Sequence, residues 1–178
     1  MIKLEQKYTA LLGDVQRRAS GLDMTQSMAR LRLCFEVLGL ASAIDGDCAT
    51  RLGRHGLSEG KFVLLSLLRD VPEGLSPHAL AEQAGVTRGT ITGLLDGLER
   101  DGFLARHADQ FDRRKLLVRL STKGEAAAST LVDEHAQWIA SLFADFSAEE
   151  MQLLSSLLEK AWRKTDKGEM QGEMQGAS

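Results

Sequence analysis

The sequence predicts a mainly α-helical protein that contains a helix-turn-helix followed by a two-stranded β-hairpin. Apolar residues recur at helical spacing over most of the chain, which indicates amphipathic helices. Residues typical of helix N-caps occur at several positions in the middle of the chain. After them, two short apolar segments typical of strands flank a basic loop. With 178 residues, 43% of them hydrophobic and 26% charged, the chain is long enough for one buried core.

Two helices are predicted in the N-terminal third. Residues 2–19 place apolar side chains at helical spacing, and a break at S-G-L-D follows. A longer helical pattern covers residues 25–54 and is interrupted or ended near Gly46 or Gly53. Both helices are amphipathic, so each needs an apolar surface to cover.

The same local sequence pattern marks three helix starts in the middle of the chain. The N-cap residues are Ser58, Ser76 and Thr87. In each case an apolar residue precedes the N-cap and another occupies the fourth helical position. Pro77 occupies the first helical position of the second helix, where its missing N–H costs nothing. Gly85 ends that helix. Residues 77–84 and 88–101 therefore form two helices joined by a tight turn, which is the pattern of a helix-turn-helix.

A β-hairpin is predicted directly after this motif. Gly102 caps the helix, and strands at residues 103–107 and 116–120 enclose the polar loop 108–115. Residues 102–124 carry six basic and two acidic residues, a local charge of +4, whereas the whole chain has a net charge of -3. A basic hairpin tip after a helix-turn-helix is the arrangement of a winged helix, in which the hairpin is the wing.

The C-terminal third is predicted to hold two more helices. One covers residues 122–144, and a capping box from Ser147 to Glu150 opens another that ends near residue 164. The G-E-M-Q repeats that follow have nothing to bury and are expected to be disordered. The predicted organisation is N-terminal helices, winged helix, C-terminal helices and tail, at residues 1–54, 55–121, 122–165 and 166–178.

Three consecutive motifs between residues 87 and 124 resemble one family. They are T-R-G-T-I-T-G-L-L-D-G-L-E-R-D-G-F-L-A-R, then D-Q-F-D-R-R, then V-R-L-S-T-K-G. Over residues 31–161 the chain resembles the MarR family of bacterial transcriptional regulators. The resemblance implies a homodimer held by its N- and C-terminal dimerisation helices, and two winged helices that read a pseudo-palindromic operator in double-stranded DNA. It also implies an effector pocket between the dimer region and each DNA-binding lobe.

Ten residues are candidate DNA contacts. The helix that begins at Arg88 offers free N–H groups and a positive dipole end, and a guanidinium such as that of Arg114 suits the negative potential of a minor groove. Asp112 resembles the family's wing aspartate that braces this arginine, although a simple turn residue is an equally good interpretation. The full set is Ser76, Pro77, Thr87, Arg88, Thr90, Thr92, Asp112, Arg113, Arg114 and Lys115.

The sequence departs from the family on the second helix of the helix-turn-helix. Many relatives carry arginine at positions 93 and 97, where this chain has Gly93 and Gly97. At 100° per residue, Gly89 and Gly93 are predicted opposite the buried stripe and Gly97 to one side of them, on the face that meets DNA. Either the glycines allow a close approach of the helix backbone to DNA, or they are merely tolerated.

Candidates for an effector pocket are Cys34, Arg54 and His55, although surface positions are the safer interpretation of the last two. Cys34 and Cys48 are expected to be buried thiols, because a redox sensor needs an exposed thiolate of low pKa and no pattern marks one. The four histidines lack metal-ligand spacing, so neither a metal nor a cofactor is expected.

The predicted function is a sequence-specific DNA-binding regulator, a repressor released by a small aromatic or anionic effector. Two alternatives remain: a cysteine-based redox-sensing regulator of the same fold, and a winged-helix adaptor that binds another protein. An enzyme is not expected, because no nucleophile and base, phosphate loop or metal triad is present in the sequence. The chain lacks an apolar signal region and a membrane-length apolar run, so a cytoplasmic protein is expected.

Overall fold

The computed structural model describes residues 4–18, 24–108 and 116–165. Over these residues the chain forms seven α-helices and one antiparallel pair of strands, which confirms the mainly helical fold with a two-stranded wing. The elements are α1 Gln6–Arg18, α2 Met24–Gly53, α3 Glu59–Arg69, α4 Pro77–Gln83, α5 Arg88–Arg100, β1 Leu104–Ala108, β2 Leu116–Leu120, α6 Thr122–Ser141 and α7 Ala148–Trp162.

The chain divides into two compact units, Met1–Ala128 and Ser129–Ser178. The first unit contains α1 to α5, both strands and the start of α6. The second contains the rest of α6 and all of α7. The predicted domain boundaries at residues 54, 121 and 165 are not tested by this division and stay a prediction.

The core of the first unit is formed by α3, α4, α5 and β2. Its most deeply buried side chains are Leu64, Leu65, Leu68, Leu80, Leu95, Leu98 and Val118. Complete burial of a leucine side chain contributes about 2 kcal/mol. Three members of the predicted stripe on α5, Ile91, Leu95 and Leu98, are buried, and the fourth, Leu94, is half-buried. This core holds α3, α4 and α5 together, and Leu52 near the end of α2 is buried as well.

All three predicted N-caps of the middle region are present. Each hydroxyl oxygen accepts a hydrogen bond from the backbone N–H three residues later, at Ser58, Ser76 and Thr87. The turn between α4 and α5 places Gly85 at a φ of +63°, and Gly102 ends α5 at +78°, a left-handed conformation that glycine adopts without strain. The predicted capping box of Ser147 and Glu150 also forms at the start of α7.

Some element boundaries differ from the prediction. α2 runs through Gly46 without interruption and ends at Gly53. β1 begins at Leu104 rather than at residue 103, because the Phe103 N–H donates to the carbonyl of Leu98 instead of to the opposite strand. α6 ends at Ser141, three residues earlier than predicted.

The wing has a third partner that the sequence did not indicate. Leu75 forms an isolated antiparallel bridge with Val118. Its N–H donates to the Val118 carbonyl at 3.1 Å, and the Val118 N–H donates back at 2.8 Å. The segment before α4 is thereby attached to the middle of β2, and a single bridged residue is too short to leave a strand pattern in the sequence.

The start of α6 packs directly on the backbone at the base of the wing. The Ser121 hydroxyl donates to the carbonyl of Gly102 at 2.7 Å and accepts from the N–H of Gly124 at 3.1 Å. The Ser121 N–H donates to the carbonyl of Phe103 at 3.0 Å. A Cβ on Gly124 would overlap this same Phe103 carbonyl oxygen. The S-T-K-G motif therefore needs glycine at its last position.

A lysine from α3 is anchored to the end of α5. Lys61 Nζ lies 2.6 Å from Asp101 Oδ2, and the Lys61 side chain is 16% exposed. Gly97 lies beneath it, since a Cβ there would approach Lys61 Cε to 2.9 Å. The prediction that Gly97 borders the DNA-facing side was wrong, because α3 packs against a wider sector of α5 than the leucine stripe indicated.

This ion pair makes stability depend on pH. The hydrogen bond from Lys61 lowers the pKa of Asp101 below its ordinary value of 3.8, and the charges of Lys61 and Arg100 act in the same direction. A carboxylate with a lowered pKa stabilises the folded state above its unfolded pKa, and this contribution disappears as the pH falls through the folded pKa.

Replacement of Gly124 by alanine should destabilise the protein by about 2 to 4 kcal/mol, because the added Cβ forces the α6 backbone away from Phe103. Gly46→Ala is the matched control: its Cβ would meet no atom within 4 Å, so helix propensity should raise stability by up to about 1 kcal/mol. Urea unfolding measures both. Equal stability of Gly124→Ala and the wild type would contradict the close contact.

The free energy of unfolding should fall as the pH is lowered from about 4 towards the folded pKa of Asp101. Asp101→Asn and Lys61→Met should each show a smaller fall over the same range, since one removes the titrating group and the other removes the cause of its lowered pKa. Urea unfolding at a series of pH values measures this. A fall as steep as that of the wild type in both variants would contradict the assignment.

Candidate nucleic-acid interface

The N-terminus of α5 is open to solvent. Thr87, Arg88, Thr90 and Thr92 are all exposed. The Thr87 hydroxyl accepts from the N–H of Thr90 at 3.2 Å, and the two threonine hydroxyls lie 2.9 Å apart. The remaining N–H groups of the first turn and the positive end of the helix dipole face outward, which suits a phosphate group.

Thr92 has a defined hydrogen-bonding polarity. Its hydroxyl donates to the carbonyl of Arg88 at 3.0 Å, so its oxygen has only lone pairs left to offer. In this state the oxygen can accept a hydrogen bond from the amino group of adenine or cytosine, whereas donation to a phosphate oxygen would require the hydroxyl to leave the Arg88 carbonyl. Thr92 can therefore contact a base edge while it keeps its bond to Arg88.

The exposed face of α5 lacks side chains at its centre. A Cβ on Gly93 would meet no atom within 4 Å, and one on Gly89 would meet only the Thr87 hydroxyl, at 3.9 Å. Both glycines lie on the exposed side of the helix, as predicted. The backbone of α5 can therefore come closer to a flat partner here than a helix with side chains at these positions could.

The other predicted residues fall in two places. Ser76 and Pro77 are half-buried at the start of α4, where the Ser76 hydroxyl accepts from the N–H of Ala79 at 3.1 Å. The four wing candidates lie outside the described residues, so their contacts stay predictions: Asp112, Arg113, Arg114 and Lys115. On either side of this loop, the last residue of β1, Ala108, pairs with the first residue of β2, Leu116.

Much of the positive charge predicted for the wing is used inside the molecule. Arg106 pairs with Asp96 and Glu99 on α5, at 2.6 Å and 2.7 Å. Arg119 Nε donates to the carbonyl of Glu73 at 2.8 Å. In addition, Lys123 Nζ donates to the carbonyl of Asp101 at 2.7 Å and lies 4.2 Å from the centre of the Phe103 ring. The available basic charge is therefore smaller than the local sequence charge of +4 indicated.

The structure does not bring the predicted pocket residues together. About 30 Å of helix separate Cys34 from Arg54 and His55, which are exposed just after the end of α2. Cys34 is also exposed, so the expectation of a buried thiol was wrong there, because no other described segment covers this face of α2. Cys48 is half-buried, and burial together with nearby carboxylates, that of Glu59 first, raises its pKa.

A cavity within the first unit is lined by none of the three predicted pocket residues. It measures about 230 Å³ and is lined by Glu59, Gly60, Val63, Ala84, Val86 and Leu94. Its volume is below the roughly 300 to 1,000 Å³ of most ligand pockets. No group of three metal-ligating side chains occurs among the described residues. None of the helices in the described ranges is both long enough and apolar enough to cross a membrane.

Sequence comparison places the chain among known regulators. Residues 57–116 match the model of the MarR family. The chain is 43% identical over 105 residues to the HTH-type transcriptional repressor YetL of Bacillus subtilis (strain 168), covering 58% of this chain and 63% of YetL, just under two thirds of its length. It is 36% identical over 110 residues to the homoprotocatechuate degradative operon repressor of Escherichia coli, covering 60% of this chain and 72% of that repressor.

Solved structures show the same fold. Streptococcus pneumoniae FabT in complex with DNA aligns with a TM-score of 0.64 at 20% identity, over 74% of this chain and 94% of FabT. The reduced form of MarR from E.coli aligns with a TM-score of 0.58 at 25% identity, over 70% of this chain and 92% of that one. The 36% identity to a repressor of which 72% is covered, together with the match to the family model, shows that the chain belongs to the MarR family of winged helix-turn-helix transcriptional regulators.

Proposed function

We propose that the chain is a homodimeric, sequence-specific DNA-binding repressor that a small effector releases from a pseudo-palindromic operator. The observation that carries the proposal is the open N-terminus and bare outer face of α5, on the same core as a hairpin with a basic loop. The names of two relatives describe repressors, and the FabT structure contains DNA. A DNA-binding regulator acts in the cytoplasm of a bacterial cell.

In this proposal α5 enters the major groove. Its first turn binds a phosphate through backbone N–H groups, and Arg88 adds a positive charge there. Thr90 and Thr92 face base edges, with the Thr92 oxygen accepting from an adenine or cytosine amino group. Gly89 and Gly93 let the helix backbone approach the groove closely. Specificity then depends on a few short side chains at close range rather than on long arginines.

The wing supplies the second contact. Arg113, Arg114 and Lys115 are proposed to meet the sugar-phosphate backbone, with Arg114 in the minor groove. Asp112 either orients Arg114 or only shapes the turn. Because the described basic residues beside the loop are engaged within the protein, these three cations are proposed to supply most of the wing's attraction for phosphates.

A second copy of the chain is needed to cover its apolar surface. α2 exposes Leu33, Val37, Leu38 and Leu40, and α7 exposes Met151, Leu153, Leu157, Leu158 and Trp162. Apolar surface exposed over several turns of two helices marks an interface in a soluble protein. A symmetric dimer would cover both helices and would also present two copies of α5 to the two halves of a palindrome.

The effector remains a prediction: the family resemblance implies a small molecule, and we keep the proposal that it is aromatic or anionic. The redox alternative is less well supported at Cys48, since its raised pKa opposes the thiolate that a sensor needs. The adaptor alternative is less well supported because the relatives named above are repressors.

Selection of binding sites from random DNA duplexes tests the proposal. We expect enrichment of an inverted repeat whose half-sites are centred about 10 bp, or a multiple of that, apart. A screen of small aromatic acids for release of the selected DNA would then identify the effector class. Failure to enrich any sequence would reject sequence-specific binding.

Arg114→Ala should weaken operator binding by about 1 to 3 kcal/mol per site and make the affinity less dependent on salt, because a guanidinium and its counterion release are lost. Arg51→Ala, which removes an exposed arginine paired with Asp47 on α2, is the control and should bind like the wild type. Fluorescence anisotropy over a salt series measures both. An unchanged affinity and salt slope for Arg114→Ala would remove it from the interface.

Gly93→Ala should raise the free energy of unfolding by up to about 1 kcal/mol, because its Cβ meets no atom and alanine favours a helix. If close approach matters, the same variant should bind the operator more weakly. Urea unfolding and operator titration separate the two effects. Equal or tighter binding would show that the glycine is merely tolerated.

The protein should be a dimer at micromolar concentration, and removal of residues 1–20 should weaken the dimer if α1 belongs to the interface. Light scattering combined with size-exclusion chromatography measures both. A stable monomer of the full chain would contradict the proposed symmetry and leave the apolar faces of α2 and α7 unexplained.

A further inference from the structure

A forked ion pair ties the wing to α5. The guanidinium of Arg106 on β1 donates through Nη1 to Glu99 Oε2 at 2.7 Å and through Nη2 to Asp96 Oδ1 at 2.6 Å. The backbone N–H of Arg106 donates to the other Glu99 oxygen at 3.2 Å. One residue of the hairpin therefore makes three hydrogen bonds to two carboxylates of the helix.

The position of this tie is important because the base of the hairpin is held in other ways. Phe103, Leu104 and Val118 are buried in the core. Further out, His107, Ala108 and Leu116 are exposed. Among the described residues, Arg106 makes the outermost hydrogen-bonded link from the hairpin to α5. Arg106 is therefore placed where a link to α5 can set the direction in which the wing leaves the core.

The chemistry of the tie favours a positioning role over a contact with DNA. The Arg106 side chain is 23% exposed, and both ends of its guanidinium are engaged by carboxylates. Asp96 and Glu99 together outweigh its single positive charge, so the cluster as a whole repels phosphates. A planar guanidinium can hold two carboxylates at once in a fixed geometry, which an ammonium cannot do.

We propose that Arg106 is a positioning residue, which fixes the wing relative to α5 so that both elements reach their grooves in a single binding event. The inference rests on the proposed function. Two contacts that are already held at the correct separation bind with less loss of freedom than two that must be ordered on the DNA. Arg106 should therefore increase the affinity for the operator more than the affinity for unrelated DNA, where register is unimportant.

The experiment measures the affinity for the selected operator and for an unrelated duplex of the same length, well below the melting temperature. Arg106→Gln should lower the ratio of the two affinities about 5- to 30-fold. Arg106→Lys keeps the charge and should recover only part of this loss. Arg51→Gln, which removes an arginine paired with Asp47 at 3.1 Å near the end of α2, is the matched control and should leave the ratio unchanged.

A variant that combines Asp96→Asn and Glu99→Gln distinguishes positioning from direct contact. If Arg106 positions the wing, removal of its carboxylate partners should also lower the ratio. The loss of two negative charges strengthens binding to both duplexes in either case, so the ratio of the two affinities is the readout. A ratio that does not fall would mean that Arg106 does not act by positioning the wing. Melting curves establish that each variant is folded. If Arg106→Gln does not fold, Arg106→Lys and the carboxylate variant are used to test the inference instead.

An affinity ratio that does not fall in Arg106→Gln, or that does not fall in the carboxylate variant, overturns the inference while leaving the proposed function intact. A wild-type protein that prefers no DNA sequence overturns the proposed function, and the inference with it.

Discussion

The structure of the DNA-binding unit depends on the contact between Gly124 and the backbone of Phe103. Gly102 ends α5, Phe103 begins the wing, and Ser121 and Gly124 begin α6, so three elements converge at one point. Because no side chain fits between Gly124 and the Phe103 carbonyl, the first turn of α6 lies directly on the base of the hairpin. A displacement of α6 at this point would be transmitted to both the end of α5 and the root of the wing.

Charge in this region serves mainly to hold elements together. Lys61 joins α3 to the end of α5 through Asp101, Arg106 joins β1 to the outer side of α5, and Arg119 joins β2 to the segment before α4. Each link connects α5 or the wing to another element. In the proposed function the cations of the loop are therefore the ones that meet DNA, while an acidic net charge of -3 opposes indiscriminate binding to nucleic acid.

Local signals in the sequence predicted much of the fold. Each N-cap could be predicted because the whole signal, a hydroxyl residue with an apolar residue on either side of the helix start, lies within six consecutive residues, as at Thr87. β2 was predicted at its exact bounds, since its alternating pattern is enclosed by polar residues. The bridge between Leu75 and Val118 was not predictable, because partners 43 residues apart leave no periodic signal.

The candidate site was only partly readable for the same reason. Exposure of Gly93 followed from helix geometry alone, but burial of Gly97 depends on Lys61, which reaches it from another helix. Arg106 looked like part of the wing's basic charge, since its acidic partners on α5 are seven and ten residues earlier in the chain and become neighbours only when the hairpin folds back. The exposure of Cys34 was not predicted either, because it depends on whether another segment covers this face of α2, and no other described segment does.

The central claim is that one rigid unit reads two grooves at once, through α5 and the wing. Footprinting of the selected operator tests it most directly, with dimethyl sulfate to probe the major groove and hydroxyl radicals to probe the minor groove. We expect protected guanines at the centre of each half-site and protected minor-groove sugars at its outer edge, repeated symmetrically in both halves. Protection of the major groove alone, or of one half-site alone, would contradict the account.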